Sequence, residues 1–510
     1  MILTTSCIIA FLLKPFLSQN STFILPPKAH GVPIISTLLW LQKTTIEARN
    51  TLQKLHLKLG PIITIPIISH PFIFISTSSL AHQALIQNGA LFSNRPIALS
   101  TSKILTSNQH NISSASYGPI WRLLRRNLTH IMHPSRPNSF AHARKWVLDI
   151  LLTSIKSSAA SNPLANIEVN DHFRFAMFSL LVFMCFGEKL EESKIREIEA
   201  IQYELLTSFS RFQILNFFPL ITRMLLPNRW TELYELKKKR EEVLDPLIKA
   251  RKLVLQQDHD RNVAAYVDSL FTLQLSDNTG TKRNLSEEEL VTICSEFLNA
   301  GTDTTSTALQ WIMANLVKYP NIQDKLVQEI KQVVGEEAEE VKENELCKIK
   351  YLKAIVLEGL RRHPPSYFNL PHAVTKEVNL GGYTVPENAV VFFTVAEMGW
   401  DPVVWENPME FKPERFLCGD EEFDISGSRE IKMMPFGAGR RICPAVRMAI
   451  LHLEYYVANL VWNFEWGVVD GYEVDLSEKQ EFTVVMKHPL QTRISRRTKI
   501  KQHLQDSIVY

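Results

Sequence analysis

Hydrophobic residues recur at helical spacing through most of the middle of the chain. Between residues 230 and 255 the apolar positions stand three or four apart among lysines and glutamates; they are Leu233, Leu236, Val243, Leu244, Leu247 and Ile248. This pattern predicts an amphipathic helix that lies on the surface, with one apolar face turned inwards.

A longer helix is predicted to begin just after Ser286. The run from Ser286 to Glu289 matches a capping box, in which the serine hydroxyl and the third glutamate bond to free N–H groups of the first turn. The helical pattern then continues without a proline until Pro320. More than thirty residues at about 1.5 Å each make a helix of about 50 Å, which has to cross the molecule.

Short apolar runs near both ends of the chain predict β-hairpins. Residues 62–68 and 72–75 flank a Ser-His-Pro break, and Pro66 favours an edge strand because proline has no N–H. Residues 378–380 and 383–385 flank a Gly-Gly turn, and residues 482–486 and 490–494 flank Lys-His-Pro. The polar stretch 276–283 is typical of a loop. We therefore expect a mainly α fold with small β-sheets at both ends.

The first seventeen residues are mostly apolar but are interrupted by Lys14-Pro15. A bilayer span needs about 20 apolar residues, so this run is short for one. It also lacks the basic start and the small-residue site of a cleaved signal peptide. We predict a retained membrane anchor over residues 1–24, a stiff proline-containing hinge over residues 25–35 and a single large domain over residues 36–510.

Composition narrows the class of protein. With 45% hydrophobic and 21% charged residues, the chain is neither disordered nor collagen-like. Its six cysteines stand at least 25 residues apart, which excludes a C-x-x-C zinc site and argues for a reducing, cytosol-facing environment.

The net charge of +3 hides an uneven distribution. Residues 1–150 contain 14 lysines and arginines but only two acids, a net charge of +12, so the rest of the chain carries −9. A basic front of the chain suits an anionic membrane surface or an acidic partner. Helices that merely expose different solvated charges would give the same numbers, and both interpretations stay open.

The segment with the most distinctive chemistry is PFGAGRRICPA, residues 435–445. Two glycines permit a tight loop that approaches a flat ligand closely. Cys443 stands where a helix is predicted to begin, with Pro444 at its first position. The helix N-terminus and the two preceding arginines favour the thiolate, which serves as a nucleophile or a metal ligand. A buried structural cysteine is the alternative.

The middle of the long helix, residues 300–305, has the sequence AGTDTT. A glycine inside a helix costs about 1 kcal/mol relative to alanine, and the threonines compete for backbone hydrogen bonds. One interpretation is a local opening that presents Asp303 and Thr304 to a ligand for proton delivery. The other is a glycine that packs against a second helix, with threonines bonded to the preceding turn.

Three further segments are ordinary when each is taken alone. Glu358 and Arg361 stand three apart on a helix, as in a surface ion pair. Arg415 lies in a predicted turn, and Trp121 and Arg125 share a helix face.

Together, in this order and spacing, these five segments resemble the cytochrome P450 family of haem-thiolate monooxygenases. The family signature F-x-x-G-x-R-x-C-x-G implies that Phe436 packs near the thiolate, that Arg441 binds a haem propionate and that Cys443 is the axial ligand of the iron. Ala445 stands where the signature has glycine. We expect a subtle change in packing or potential there, because alanine keeps the N–H that can bond to the sulfur.

The resemblance also assigns roles on three helices and a turn. It implies that Trp121 and Arg125 contact the haem propionates, and that a buried ion-pair network with a structural role is formed by Glu358, Arg361 and Arg415. The fold implied is that of the P450s, with the long central helix over haem b.

The segment around residue 303 matches the family's A/G-G-x-D/E-T-T/S motif. The match implies that Asp303 and Thr304 are the acid and alcohol that supply protons on the oxygen side. Substrate walls are expected from residues 95–117, 366–370 and 482–486, although Phe368 and Phe482 are equally compatible with an ordinary core.

The chain looks most like plant microsomal members of the family. That likeness implies electrons from NADPH through NADPH–cytochrome P450 reductase, an apolar metabolite as substrate, contact with membrane lipid and no nucleic acid. It also implies the endoplasmic reticulum membrane, with the catalytic domain facing the cytosol. Arg122 and Arg126 would then meet anionic lipid or the acidic reductase.

Two other functions compete with a monooxygenase. The first is a haem-thiolate isomerase or dehydratase that needs no reductase, against which the presence of both Asp303 and Thr304 argues. The second is a helical, membrane-associated interaction protein without a cofactor.

Overall fold

A computed structural model describes residues 24–29, 44–67, 70–133, 140–161, 167–216, 218–257, 265–276, 282–417 and 422–497. Residues 1–23 of the predicted anchor and residues 30–35 of the predicted hinge lie outside these ranges. Within the described ranges, every helix is too short or too polar to cross a membrane.

The α-helices account for most of the described residues. In chain order they are α1 (Thr45–Leu59), α2 (Ser78–His82), α3 (Ser100–Leu105), α4 (Pro119–Ile131), α5 (Ala141–Ser161), α6 (Asn170–Phe186), α7 (Glu192–Phe212), α8 (Pro219–Leu225), α9 (Pro227–Gln257), α10 (Tyr266–Phe271), α11 (Glu287–Lys318), α12 (Pro320–Val334), α13 (Glu343–Leu346), α14 (Lys350–Arg362), α15 (Val395–Gly399) and α16 (Val446–Asn463).

The strands are short. They are β1 (Ile62–Ile67), β2 (His70–Ile75), β3 (Ile167–Glu168), β4 (Gln274–Ser276), β5 (Lys282–Asn284), β6 (His372–Ala373), β7 (Val378–Leu380), β8 (Tyr383–Val385), β9 (Val390–Phe393), β10 (Phe464–Gly467), β11 (Glu478–Gln480), β12 (Val484–Met486) and β13 (Gln491–Arg496). Long helices with short strands confirm the predicted mainly α class.

The chain forms two compact units whose segments alternate along the sequence. The first contains residues up to 96, 367–398 and 424–442, and the second contains residues 97–366, 399–423 and 443 onwards. The predicted single domain over residues 36–510 thus comprises two units, and no one position in the sequence separates them.

The first unit is built on a four-stranded sheet of order β1-β2-β9-β6. β1 and β2 form the predicted antiparallel hairpin, and β1 is the outer strand, where Pro66 interrupts no internal ladder. The predicted hairpin of β7 and β8 is also present. Its Gly381 and Gly382 have φ of 58° and 84°, a left-handed conformation that glycine adopts without strain.

The second unit is organised around α11. Its Ser286 cap accepts a hydrogen bond from the Glu289 N–H, and the helix runs for 32 residues, as predicted. It packs against α6, which is buried on almost every side from residue 173 to residue 186. The predicted amphipathic helix is α9, with Leu233 and Leu236 buried and charged residues on its outer face.

Two predictions about strands were wrong. Residues 482–486 and 490–494 do not pair with each other, because β12 pairs with β11 while β13 pairs with β10 and β3. A local pattern identifies a strand but not its partner. The predicted loop 276–283 begins and ends in the β4–β5 ladder. Since all three residues of β5 are exposed, no alternation of apolar residues marked it.

Candidate active site

Cys443 differs from the other three cysteines that lie in the described ranges. Cys185 and Cys294 are buried, and Cys347 is exposed. Cys443 has intermediate exposure, and the N–H of Ala445 donates a hydrogen bond to its sulfur at 3.4 Å. Of these four, Cys443 combines accessibility with a sulfur that accepts a hydrogen bond from a backbone N–H, whereas the thiol of exposed Cys347 donates to the carbonyl of Asn344.

The charge state of the Cys443 thiol differs from the sequence-based expectation. Burial raises the pKa of this thiol above its ordinary value, while the Ala445 N–H and the positive charge of Arg125 act in the opposite direction. A cation that acts on the sulfur is Arg125 on α4, which the sequence does not place near Cys443. The protein alone leaves the thiol protonated, so that a thiolate here needs a positively charged partner such as a metal ion.

The predicted position of Pro444 at the start of a helix was wrong. The helix begins at Val446, so Pro444 lies in the preceding turn and not at the first helical position. Ala445 has φ −106° and ψ 20°, which any residue adopts without strain. Alanine therefore fits where the family signature has glycine, and it retains the N–H that bonds to the sulfur.

The helix α4 carries the predicted indole and guanidinium on its inner face. Trp121 is 6% exposed, and its ring lies 5.2 Å from that of Tyr117. Arg125 is half-buried, and burial lowers its pKa while the sulfur of Cys443 raises it. Arg122 and Arg126 are exposed, so α4 has one cation turned inwards and a basic outer face.

The first unit holds the other part of the signature. Phe436 is half-buried in the turn before Gly437. Nε of Arg441 donates a 2.7 Å hydrogen bond to the carbonyl of Ser93. Gly439 has φ 68° and lies against the carbonyl of Leu85, where a Cβ would clash. These contacts hold the turn against residues 85 and 93, which follow β2 and α2 in the sequence.

Two cationic or titratable residues of the first unit were not identified from the sequence. Nη1 of Arg95 donates hydrogen bonds to the carbonyls of Leu370 and Pro371, at 2.9 and 2.7 Å. Burial, followed by the charges of Arg95 and Arg441, lowers the pKa of His372 to about 3. Arg95 and Arg441 thus concentrate positive charge in this unit. Since both contacts join distant parts of the chain, no local pattern pointed to them.

The middle of α11 follows the packing interpretation. The helix is continuous through residues 300–305, without the predicted opening. A Cβ at Gly301 would lie 2.7 Å from a methyl group of Leu181 on α6. The hydroxyls of Thr302 and Thr304 donate to the carbonyls of Leu298 and Ala300, each at 2.7 Å. Gly301 therefore permits close helix packing.

Asp303 and Thr304 bond to different partners. The Thr304 side chain has intermediate exposure and folds back onto its own helix. Asp303 is buried, and one of its oxygens lies 3.2 Å from Nη1 of Arg174 on α6. Burial raises the pKa of Asp303, whereas Arg174 lowers it. Arg174 is a further residue that the sequence analysis did not identify.

The predicted ion-pair network is present in the second unit. Arg361 donates to both oxygens of Glu358, at 2.7 and 2.8 Å, and neither side chain is exposed. Nε of Arg415 donates to Glu358 at 3.2 Å. Nη1 of Arg361 donates to the carbonyls of Gly399 and Pro408, each at 2.7 Å. The network thus ties α14 to the loop that follows α15.

The segment 95–117, which is predicted to form a substrate wall, is hydrogen-bonded to α11 through some of its residues. Glu296 accepts hydrogen bonds from the N–H groups of Ile112 and Ser113, at 2.8 and 2.7 Å. Nδ1 of His110 lies 2.5 Å from a carboxylate oxygen of Glu289. Residues 110–113 are therefore positioned by acids of the central helix.

Phe368 and Phe482, which the sequence allows either in a substrate wall or in the core, differ in their surroundings. Phe368 contacts Phe74 and Phe392 edge-on, at 6.3 and 6.4 Å, inside an aromatic cluster of the first unit. Phe482 is 46% exposed in the second unit. Phe368 is thus partly buried against the core of the first unit, whereas the Phe482 side chain is exposed.

Comparison with known proteins agrees with this geometry. A model of the cytochrome P450 family matches residues 26–495. Cytochrome P450 89A9 of Arabidopsis thaliana is 49% identical over 490 residues, which cover 94% of this chain and 95% of that protein. Cytochrome P450 monooxygenase 76AD131 of Lophophora williamsii is 30% identical over 501 residues, covering 95% and 96%.

Solved structures share the fold. A zebra fish cytochrome P450 with progesterone has a TM-score of 0.74 at 20% identity, covering 88% of this chain and 99% of that one. A zebra fish cytochrome P450 with abiraterone has a TM-score of 0.71 at the same identity and coverage. Family model and plant relatives together show that the chain belongs to the plant cytochrome P450s, oxidoreductases of a haem-binding family that incorporate oxygen from O2.

Proposed function

We propose that this protein is a membrane-bound monooxygenase that inserts one oxygen atom into an apolar small molecule, with Cys443 as the axial ligand of its haem. The observation that carries this proposal is the Cys443 sulfur, accessible and bonded to the Ala445 N–H. A metal ion deprotonates a coordinating thiol, which overcomes the raised pKa of Cys443.

The residues present fit a haem group in their chemistry. Arg125 and Trp121 would hold propionates from α4, and Arg441 would do so from the signature turn, with Phe436 packed near the sulfur. Arg95, which bonds to nearby carbonyls, would add positive charge for a propionate. An N–H bonded to a ligating sulfur withdraws charge from it and tunes the site.

Bound haem supplies the activation of O2. Thr304 and Asp303 supply protons: the hydroxyl of Thr304 moves a proton, and the carboxyl of Asp303 replaces it. In the resting structure the Thr304 hydroxyl bonds to the Ala300 carbonyl, so it has to leave this bond to act. Burial raises the pKa of Asp303, although Arg174 opposes this shift, so the Asp303 carboxylate takes up a proton more readily than an exposed aspartate does.

Electrons would come from NADPH through a flavoprotein reductase, at the endoplasmic reticulum membrane and on its cytosolic side. Support comes from the basic outer face of α4, where Arg122 and Arg126 are exposed, and from the net charge of +12 over residues 1–150. An acidic reductase docks to such a face with favourable long-range attraction.

The substrate is proposed to be apolar, as the expected walls carry exposed apolar side chains. Leu99 is 56% exposed and Phe482 is 46% exposed in the second unit, and Leu370 is 55% exposed in the first. Small-molecule sites are lined mostly by apolar side chains. The zebra fish cytochrome P450 structures of the same fold contain progesterone and abiraterone, which supports a small molecule as the substrate here.

A spectrum of the reduced, carbon monoxide-bound protein tests the haem-thiolate site. We expect a red-shifted Soret band that Cys443→Ala abolishes and that Cys347→Ala, at an exposed cysteine, leaves unchanged. Well-folded protein that never binds haem would reject the proposal. Consumption of NADPH with reductase and a panel of apolar metabolites then separates a monooxygenase from an isomerase or dehydratase, because turnover without any reductant identifies the latter.

A further inference from the structure

The turn between β11 and β12 carries an exposed aromatic ring. It consists of Glu481, Phe482 and Thr483, and its middle residue, Phe482, is 46% exposed. The Glu481 N–H donates to the Thr483 carbonyl at 3.0 Å, and Nε2 of Gln480 donates to the Phe482 carbonyl at 3.2 Å. The backbone that bears the Phe482 ring is therefore hydrogen-bonded on both sides.

The inner side of this turn is bonded to the central helix. The hydroxyls of Thr483 and of Thr307 on α11 lie 2.9 Å apart, and both residues are buried. Nε1 of Trp311, also on α11, donates to the Val484 carbonyl at 2.8 Å. The Val484 N–H donates to the carbonyl of Pro365, which follows α14, at 2.9 Å. The turn is thus attached to α11 and to the segment after α14.

This attachment brings Phe482 close to the chemistry proposed for α11. Thr307 follows Thr304 by three residues, which is a rise of about 4.5 Å along the helix and a neighbouring position on its surface. Phe482 adjoins Thr483, whose hydroxyl is bonded to that of Thr307. A molecule that binds beside Thr304 is therefore close enough to contact the Phe482 ring.

The outer side of the turn is bonded to a further helix, α7. The Tyr203 hydroxyl donates to a carboxylate oxygen of Glu481 at 3.0 Å. A hydrogen bond to a carboxylate is stronger than one between neutral groups, because its acceptor is charged. The Tyr203 ring has a fixed place of its own, since the guanidinium carbon of Arg174 on α6 lies 3.9 Å from the ring centre. Tyr203 thus connects the turn to α6 and α7.

Glu481 has a second partner, which lies on the hairpin itself. Nζ of Lys479, on β11, lies 2.7 Å from the other carboxylate oxygen of Glu481. This ion pair joins two residues of one hairpin, so it attaches the turn to no helix. Lys479 and Tyr203 therefore share the Glu481 carboxylate but differ in what they connect to it, which makes Lys479 a matched control for Tyr203.

We propose that Tyr203 is a positioning residue for substrate selection: it holds Glu481, keeps the Phe482 ring at a fixed place beside α11 and thereby favours flat, unsaturated apolar substrates. The inference deepens the proposed function and rests on it, because it takes the substrate to bind beside Thr304. A ring that is already in place loses little freedom when a flat molecule stacks on it, so more of the stacking energy contributes to binding. Without the Tyr203 hydroxyl the turn moves more, and the preference for flat molecules weakens.

Hydrogen exchange of the full-length chain tests the attachment without relying on activity. Tyr203→Phe removes only the hydroxyl and keeps the ring over Arg174. It should speed the exchange of the amides of residues 481–484 at least about threefold, because the hydrogen-bonded N–H groups of Glu481 and Val484 open more often. Unchanged exchange in Tyr203→Phe overturns the inference.

Two control variants accompany this measurement. Lys479→Gln removes the other charged partner of Glu481 and should change the exchange of the turn by less than about 1.5-fold, because Tyr203 still holds the carboxylate. Tyr234→Phe removes a hydroxyl from a tyrosine of α9 that is 47% exposed and should match wild type. If Lys479→Gln speeds exchange as much as Tyr203→Phe does, the attachment to α7 is not what holds the turn, and the inference is rejected.

Binding spectra connect the attachment with the shape of the ligand. 4-Phenylimidazole and 4-cyclohexylimidazole have the same number of non-hydrogen atoms, but only the first carries a flat ring. Each shifts the Soret band when its imidazole nitrogen binds haem iron, so titration of the haem-loaded chain gives both Kd values. In Tyr203→Phe the ratio of the two Kd values should move against 4-phenylimidazole by at least about threefold relative to wild type. Lys479→Gln should keep the wild-type ratio.

Conservative variants of the acceptor separate this hydrogen bond from a general loss of structure. Glu481→Gln keeps an oxygen that accepts from the Tyr203 hydroxyl, so it should stay close to wild type in both measurements. Glu481→Leu keeps the size but not the acceptor and should behave as Tyr203→Phe does. Combining Tyr203→Phe with Glu481→Leu should have no larger effect than either alone, because both remove the same interaction. If Tyr203→Phe does not fold, the two Glu481 variants decide, and equal Kd ratios in them contradict the inference.

The failure of this inference can be told apart from the failure of the proposed function. Phe482→Leu removes the flat ring and should itself move the Kd ratio against 4-phenylimidazole. If it does so while Tyr203→Phe and Glu481→Leu do not, only the inference fails. If Phe482→Leu leaves the ratio unchanged, Phe482 is not part of the substrate wall, and the inference fails while the haem-thiolate site stands. If the folded chain binds no haem, the proposed function fails, and the inference fails with it.

Discussion

Arg361 donates two hydrogen bonds to Glu358, three residues earlier on the same helix, and neither side chain has any exposed surface. Removing one member of such a buried pair leaves an uncompensated charge, which costs about 3–5 kcal/mol. We therefore expect Glu358→Gln to lower the free energy of unfolding, measured in urea, by about that amount, or to prevent accumulation of folded protein.

An exposed pair of the same kind is the control for Glu358→Gln. Lys238 and Glu242 stand four residues apart on α9, with side chains 75% and 59% exposed. Lys238→Ala should change the free energy of unfolding by no more than about 0.5 kcal/mol. Equal effects of the two substitutions would show that burial does not determine the cost.

Thr304→Ala should leave haem bound and divert reduced oxygen to peroxide. The hydroxyl is the group removed, while Cys443 and its Ala445 hydrogen bond are untouched. We expect product formed per NADPH to fall by about tenfold or more and H2O2 to rise, measured with reductase once a turned-over metabolite is found. Thr304→Ser keeps a hydroxyl and should recover most of the coupling, and Thr302→Ala, which removes a buried back-bonded hydroxyl, should leave coupling intact. Unchanged peroxide release in Thr304→Ala would reject the proton-supply role.

Buried His452 makes folding sensitive to pH. Burial, and secondarily the charge of Arg144, lowers the pKa of His452 to about 3. In the unfolded chain a histidine takes up a proton near pH 6.5, whereas the folded state excludes that proton down to about pH 3. Stability is therefore fully present above pH 6.5 and is lost as the pH falls, by about 2 kcal/mol at pH 5.

His452→Leu should remove this share of the pH dependence. The loss of unfolding free energy between pH 7.5 and pH 5 is expected to shrink by about 2 kcal/mol relative to wild type. His130→Asn, at an exposed position on α4, should leave the loss as it is in wild type. A pH dependence that persists unchanged in His452→Leu would contradict the assignment.

Charge reversal on the outer face of α4 tests the docking of the reductase. Arg122→Glu combined with Arg126→Glu should raise the apparent KM for reductase at least about threefold, and the difference should shrink as salt screens the attraction. Charge reversal at Lys238 and Lys239, exposed on α9, is the matched control. If KM did not change, the excess of basic residues in the first 150 residues would be explained by solvent-exposed helix faces alone.

Structural features that depend on residues close together in the sequence were predicted correctly. The Ser286 cap, the length of α11 and the β1–β2 and β7–β8 hairpins follow from local patterns, and the structure confirms them. Pairings between distant segments were not predictable in this way. The partners of β13 lie on β10 and β3, and Arg174 reaches Asp303 across two helices. At Cys443 burial raises the pKa of the thiol more than the nearby cation lowers it, and burial is a property of the folded chain that the local sequence does not reveal.

The contact between Gly301 and Leu181 has a consequence for how this protein can diverge. Because a Cβ at position 301 would lie 2.7 Å from a Leu181 methyl group, the two positions share one volume. We expect descendants with alanine at position 301 to have a smaller residue at position 181. If alanine comes first, the intermediate sequence is overpacked at this contact, and if the smaller residue comes first, the intermediate has a cavity there. The residue at position 301 would then change together with position 181 of α6. The neighbouring Asp303 and Thr304 would instead be retained because of their proposed chemical roles.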